Sequence, residues 1–157
     1  MKGNADVIDA LQKALSEELQ AISQYFLHGE MQSNWGYKRL YAEIKKQAIG
    51  EMKHAEELIE RIIFLEGLPN LNEFPKLKIG KNVEQQLQND LNLEKTAVEE
   101  YNKYIAIARK EGDNASADLF EALLKDEEEH VDFLEAQLGM IKEVGLQNYL
   151  AQQMHTE

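Results

Sequence analysis

The chain has no cysteine among its 157 residues. That excludes a disulfide framework, a thiolate metal site and a cysteine nucleophile together. It has 2 prolines, Pro69 and Pro75, so the rest of the chain is without the strongest helix breaker. Positive charge is scarce: 17 Lys and Arg stand against 29 Asp and Glu, a formal net charge of −12. A surface of that sign repels nucleic acid and suits cationic partners, metal ions among them. No apolar run approaches the roughly 20 residues that a membrane helix needs, and no N-terminal stretch has the form of a signal peptide. These absences predict a soluble, cytoplasmic protein with neither nucleic acid nor membrane as partner.

What is present suits long helices: 43% hydrophobic and 29% charged residues, in a length that fits one domain over residues 1–157. Apolar residues recur at the helical period in four long runs. The first spans about 5–34, with Val7, Leu11, Leu15, Leu19, Ile22 and Tyr25 on its inner stripe and Asn4 as N-cap. The second spans about 38–65 and stops at Gly67 and Pro69. The third spans about 83–111, opening on a capping box of Asn82 and Gln85 and closing on Gly112. The fourth runs from Asn114–Ser116 to about 143, and a short fifth covers Leu146–Met154 after Gly145. Residues 67–82 form the long connection and carry Leu68, Leu71, Phe74, Leu77 and Ile79. Near-extended, they reach roughly 50 Å, more than the roughly 40 Å of the second helix. The connection is expected to run the length of a bundle, packed along its side. Two helical hairpins joined this way predict an all-α fold. It is a ferritin-like up-down-down-up four-helix bundle, with a long crossover between helices 2 and 3 and a short C-terminal fifth helix.

One pattern occurs twice in this frame. Glu51-Met52-Lys53-His54 and Glu127-Glu128-Glu129-His130 both read Glu-x-x-His, which puts a Glu and a His on one helix face. With 22 Glu in the chain, such a pair is unremarkable alone. Its position is informative. The second copy lies 76 residues after the first, and the same shift places Glu18 on Glu94, Leu11 on Leu87, Leu15 on Leu91, Tyr25 on Tyr101 and Leu58 on Leu134. Each half therefore has a lone Glu followed 33 residues later by Glu-x-x-His.

The bundle brings Glu18, Glu51, His54, Glu94, Glu127 and His130 into one core. Four carboxylates cannot share a buried space uncompensated. Two divalent cations balance their four charges, and each ion gains one imidazole nitrogen and several oxygens. That set suits iron or manganese better than zinc. Glu51 and Glu127 are placed to bridge the two ions, Glu18 and Glu94 to be terminal ligands. Asp90, one turn before Glu94, and Asp126, beside Glu127, are candidates to accept the outer N–H of a ligand histidine. Tyr25 and Tyr101 lie seven residues after Glu18 and Glu94, as core aromatics whose phenols reach toward the site.

Gln24-Tyr25-Phe26-Leu27-His28, Glu51-Met52-Lys53-His54-Ala55, Phe64-Leu65-Glu66-Gly67-Leu68-Pro69-Asn70-Leu71, Asp90-Leu91-Asn92-Leu93-Glu94 and Glu127-Glu128-Glu129-His130 resemble stretches of the bacterioferritin family, and the likeness runs the whole chain. The resemblance implies iron storage and detoxification. A di-iron ferroxidase centre of two Fe ions per subunit would use the six ligands to oxidise Fe(II) with O2 or H2O2. The ferric mineral would lie in a homo-oligomeric 24-subunit cage built from dimers. It further implies that Met52 is the axial ligand of a b-type haem shared by two subunits, with Ile22, Phe26 and Ile49 as apolar lining. A reduced ferredoxin would deliver electrons through this haem for iron release.

The chain departs from that pattern on the inner wall. Lys46 and Gly50 stand where relatives place a His and an Asp that bind a further iron, and Phe133 stands where some have a Trp. Asn34, Glu66 and Asp132 match residues lining a pore between subunits. The runner-up reading is a non-storage di-iron oxidase or peroxidase of the rubrerythrin-like type, against which the missing cysteines argue.

Overall fold

The computed structural model describes residues 1–155. Among them it has five helices and no strand: α1 (Ala5–Asn34), α2 (Lys38–Phe64), α3 (Val83–Lys110), α4 (Asn114–Val144) and α5 (Leu146–Gln153). The local signals explain the ends. The Asn4 side chain accepts from the amides of Asp6 and Val7 at 2.8 and 3.2 Å, and Asn82 accepts from Gln85 at 2.9 Å. The capping box at α3 is only half formed, because the Gln85 side chain accepts from the Lys81 amide (3.0 Å) and not from that of Asn82. At α4 the cap is Asp113, which accepts from the Ser116 amide at 3.0 Å and is held by Arg61 at 2.9 Å.

The end of α2 differs from its expected form. The left-handed residue is Glu66 (φ 66°), not Gly67. The amide of Gly67 donates to Ile62 O (2.9 Å) and that of Glu66 to Ile63 O (3.0 Å), a Schellman closure. Gly67 is needed for space: a Cβ there would lie 2.9 Å from Ile62 and 3.0 Å from Ile8. The N-terminal amine binds the Glu66 carboxylate (3.1 Å) and Phe64 O (3.0 Å), latching this corner.

The core has two apolar clusters with a polar layer between them. Val7, Leu11 and Leu15 of α1 join Leu58 and Ile62 of α2, Tyr101 and Tyr104 of α3, and Phe120 and Leu123 of α4 in the first. Tyr25 of α1 joins Leu40 and Ile44 of α2, Leu87 and Leu91 of α3, and Leu134 and Ile141 of α4 in the second. Along the chain α1 and α4 pass from the first cluster to the second, while α2 and α3 pass from the second to the first. That is the up-down-down-up order.

The crossover runs the length of α1, but it is held by polar groups and not by its apolar residues. Leu68 is 91% exposed, and Leu71 and Phe74 are exposed as well. Only Leu77 and Ile79 are half-buried. The ties come from α1 at regular intervals: Gln12 to Asn70 (2.7 and 2.9 Å), Gln20 to Lys76 O (3.2 Å), Gln24 Oε1 from the Lys78 amide (3.0 Å) and His28 Nε2 from the Gly80 amide (3.0 Å). An irregular segment leaves its own backbone groups unpaired, and side-chain amides on the neighbouring helix satisfy them.

Candidate metal centre

The layer between the two clusters is made of the repeated residues. Glu18 follows Leu15 and precedes Ala21; Glu51 lies between Ala48 and Ala55; Glu94 between Leu91 and Ala97; Glu127 between Leu123 and Leu134. Each helix thus changes from one apolar cluster to the other across a single carboxylate. All four are buried, with no more than 2% of any of them exposed. His54 and His130 join them, one turn beyond Glu51 and Glu127.

The six side chains form two overlapping groups: Glu18, Glu51, His54 and Glu127 in one, and Glu51, Glu94, Glu127 and His130 in the other. Within each group the ligand atoms lie within 4.8 Å of one another. His54 Nδ1 is 3.0 Å from Glu127, 3.5 Å from Glu18 and 3.5 Å from Glu51. His130 Nδ1 is 2.8 Å from Glu51, 3.4 Å from Glu127 and 3.6 Å from Glu94. Glu51 and Glu127 belong to both groups, so the two halves relate by a pseudo-twofold axis through these carboxylates.

Several of these atoms lack a hydrogen bond. Glu18 Oε2, both oxygens of Glu51, Glu94 Oε2 and His130 Nδ1 are buried without a hydrogen-bond partner among the described residues. Distance alone satisfies the His130–Glu51 contact, but its angle does not make it a hydrogen bond. Orphaned buried acceptors are costly, and a donor set of oxygens with one nitrogen on each side fits a pair of divalent cations. The phenols sharpen the fit. Tyr101 Oη donates to Glu18 Oε1, and Tyr25 Oη donates to Glu94 Oε1. Each of these two carboxylates is thereby turned so that its second oxygen has no hydrogen bond among the described residues.

Electrostatics agree. Burial, then repulsion from Glu127, pushes the Glu18 carboxyl up to about 7. Burial and the charges of Glu18 and Glu94 push Glu51 up to about 8. Burial and Glu127 drive Glu94 well above the carboxylate range. Burial opposes the charged form of His130, but the facing carboxylates of Glu127, Glu51 and Glu94 outweigh it and push the imidazole up to about 12. His54 is raised in the same way by Glu127, Glu18 and Glu51 against burial. Without cations the layer holds protons in their place.

The groups around the layer follow the expectations in part. Asp126 Oδ2 accepts from His54 Nε2 at 2.8 Å. Asp90 does not face a ligand histidine. It accepts from His28 Nδ1 (2.9 Å) and Gln24 Nε2 (2.8 Å), in a fully buried network that clamps the crossover. Because Gly80 donates to His28 Nε2, that nitrogen carries the lone pair and Nδ1 the proton. Glu17 was not singled out from the sequence; it accepts from Tyr104 Oη at 2.6 Å. In the sequence Glu17 lies four residues after Lys13, a spacing that reads as an ordinary exposed helix face. A cavity of about 450 Å³ reaches Glu18, Glu51 and Glu127 between α1 and α3, with Glu17, Glu100, Lys76 and Lys78 at its walls.

Met52 points away from this layer, 54% exposed beside the buried Glu51, and Phe26 and Ile49 are exposed on the outer faces of α1 and α2. Ile22 is half-buried. Lys46, Asn34, Glu66 and Asp132 are exposed, Gly50 is half-buried, and Phe133 packs against the second apolar cluster. No helix among the described residues is long and apolar enough to cross a membrane.

The family model described as "Ferritin-like domain" matches residues 8–144. The bacterioferritin of Brucella melitensis is 46% identical over 149 residues, covering 95% of this chain and 92% of that protein. The bacterioferritin of Mycobacterium bovis is 41% identical over 152 residues, covering 97% and 96%. A bacterial ferritin of Synechocystis is 43% identical over 155 residues, covering 98% and 99%. With the buried carboxylate layer inside a four-helix bundle, these matches establish that the chain belongs to the bacterioferritin family of ferritin-like proteins.

Proposed function

We propose that the protein stores iron and is a ferroxidase, with Glu18, Glu51, His54, Glu94, Glu127 and His130 as the ligands and catalytic residues. The carrying observation is the pair of overlapping groups that share Glu51 and Glu127 and leave five buried atoms without partners. Two Fe(II) ions, as substrate, balance the four carboxylates and give one electron each. The acceptor is O2, reduced with two protons to H2O2, or H2O2, reduced with two protons to water.

The chain's own part is positioning. Glu51 and Glu127 hold both ions, Glu18 and Glu94 hold one each, and Tyr101 and Tyr25 keep the terminal carboxylates in a single orientation. Asp126 fixes the His54 ring by accepting a hydrogen bond from its outer N–H. The apolar clusters above and below exclude water, and the cavity between α1 and α3 is the route inward. Ferric product would collect as mineral inside a 24-subunit cage built from dimers. The exposed Leu68, Leu71, Phe74 and Trp35 supply apolar surface for such contacts. The Met52 thioether, unburied and outward, would hold a b-type haem between two subunits, which would carry electrons from a reduced ferredoxin for iron release.

Rapid mixing of Fe(II) with aerated protein tests the centre. Oxidation of two Fe(II) per subunit in a fast phase is expected, lost in Glu18→Ala and in His130→Ala. A fast phase that survives both variants rejects the assignment. Size-exclusion chromatography tests the cage, since a stable monomer or dimer is incompatible with it. Loss of the haem absorption band in Met52→Leu tests the axial ligand.

A further inference from the structure

The two histidines of the metal layer differ on their outer side. A ligand histidine almost always gives its second N–H to a carboxylate, a carbonyl or water. His54 gives it to Asp126. His130 turns Nδ1 to the glutamates, and its Nε2 has no hydrogen-bond partner among the described residues. His130 lines a second cavity, of about 650 Å³, between α2 and α4.

The lining of this cavity runs against the charge of the chain. Lys45, Lys46 and Lys53 all border it, against Glu43 and Glu129. In a protein of net charge −12 that is a local excess of cations. Lys46, Gly50 and Lys53 lie on one face of α2, at i, i+4 and i+7. Gly50 makes a notch between the two lysines: a Cβ built there meets nothing within 4 Å. Lys45 donates to the Tyr41 hydroxyl at 3.1 Å. No carboxylate comes within the 4.0 Å ion-pair distance of any of the three lysines among the described residues.

We propose that this cavity is an oxyanion site of the inorganic phosphate class. The anion sits in the Gly50 notch, takes hydrogen bonds from the Lys46 and Lys53 ammonium groups, and accepts the outer N–H of His130. It supplies for His130 the partner that Asp126 supplies for His54. A hydrogen phosphate fits because it offers several acceptor oxygens at once, and three donors converge from two helices. A cation is disfavoured at the same place by the two flanking ammonium groups. The site stands on the lysines, the glycine and the unpaired imidazole N–H, and it does not depend on which metal the layer binds.

The test is equilibrium binding of radiolabelled orthophosphate to the full chain, expressed under iron limitation so that no mineral competes, at neutral pH and low ionic strength. Saturable binding of one phosphate per subunit is expected. Lys46→Gln combined with Lys53→Gln should weaken it about tenfold, a few-fold for each exposed charge. Gly50→Glu, which places a carboxylate in open space on a helix and leaves the fold intact by circular dichroism, should abolish it. Lys95→Gln combined with Lys103→Gln removes the same charge elsewhere and should change it less than twofold. Equal losses in both double variants would reduce the binding to general surface charge and overturn the site. So would phosphate binding by Gly50→Glu as tight as that of the parent, or the absence of saturable binding in the parent.

Discussion

Glu51→Gln should make the protein more stable without metal and less stable with it. Glu51 is 1% exposed, and burial with the charges of Glu18 and Glu94 holds its carboxyl up at about 8, against an ordinary value near 4.5. A carboxyl raised on folding is bound to a proton in the native state while the unfolded chain has lost it. Stability from this group is therefore greatest below pH 4.5 and falls as pH rises from there to about 8. At pH 7 the cost is roughly 3 kcal/mol. The glutamine keeps the shape and removes the titration. It also removes a partner of His130 and His54, which returns part of the gain. A net stabilisation of about 1–2 kcal/mol is expected, or about 2–8 °C in Tm for a chain of this length. Thermal melts by circular dichroism in the presence of a chelator, at pH 6 and pH 8, check this. The advantage of Glu51→Gln should be larger at pH 8. In saturating Co(II), an ion that binds the same donors without being oxidised by the assay, the order should reverse. Lower stability of the variant in chelator, or an advantage that does not change with pH, would refute the idea that the carboxylate layer is electrostatically strained.

Two further changes probe the frame. Glu66→Gly relieves a left-handed φ of 66° and loses only an exposed ion pair to the N-terminus, so it should stabilise by about 0.5–1 kcal/mol in a denaturant melt. His28→Leu leaves the Gly80 amide without its buried acceptor and Asp90 with Gln24 as its one remaining donor among the described residues. It should cost about 2–4 kcal/mol and speed hydrogen exchange at the Gly80 and Lys78 amides; unchanged exchange there would mean that the crossover is held by other contacts.

Much of this was legible from spacing. The helical stripe that carries Leu11, Leu15 and Tyr25 also carries Glu18, and a shift of 76 residues repeats it, so the bundle and its inner carboxylates follow from periodicity alone. What the spacing could not show is which group on another helix meets a given side chain. Asp90 lies one turn from Glu94 and was a candidate partner for a ligand histidine, but His28 on α1 is the imidazole packed against it. Asp126 had the same local credentials and does meet His54, across from α2. The spaced apolar residues of the crossover suggested packing, yet Leu68, Leu71 and Phe74 are exposed, because in an irregular segment spacing does not set a buried face. The same limit applies at the end of α2, where Gly67 drew attention as the helix stop while Glu66 adopts the left-handed conformation and Gly67 serves only to let Ile62 and Ile8 approach.

The two copies of Glu-x-x-His are alike in sequence and unlike in surroundings, and this should order their filling. On the His54 side Glu18, Glu51, His54 and Glu127 are all buried, and Asp126 holds the ring by its outer N–H at 2.8 Å. On the other side the His130 side chain is 15% exposed, and among the described residues no carboxylate holds its outer nitrogen. A ring held in its binding orientation loses less freedom on ligation, and such support is typically worth about 10–100-fold in metal affinity. The first Co(II) equivalent should therefore bind on the His54 side. In a spectroscopic titration of the full chain, His54→Ala should remove the tighter step and His130→Ala the weaker one. Asp126→Ala should bring the two steps together by weakening the tighter one about 10–100-fold, while leaving the weaker one in place. If His130→Ala removed the tighter step, or if Asp126→Ala left both unchanged, the asymmetry in hydrogen bonding would have no thermodynamic weight. In that event the two halves would load as the symmetric pair that their sequence repeat describes.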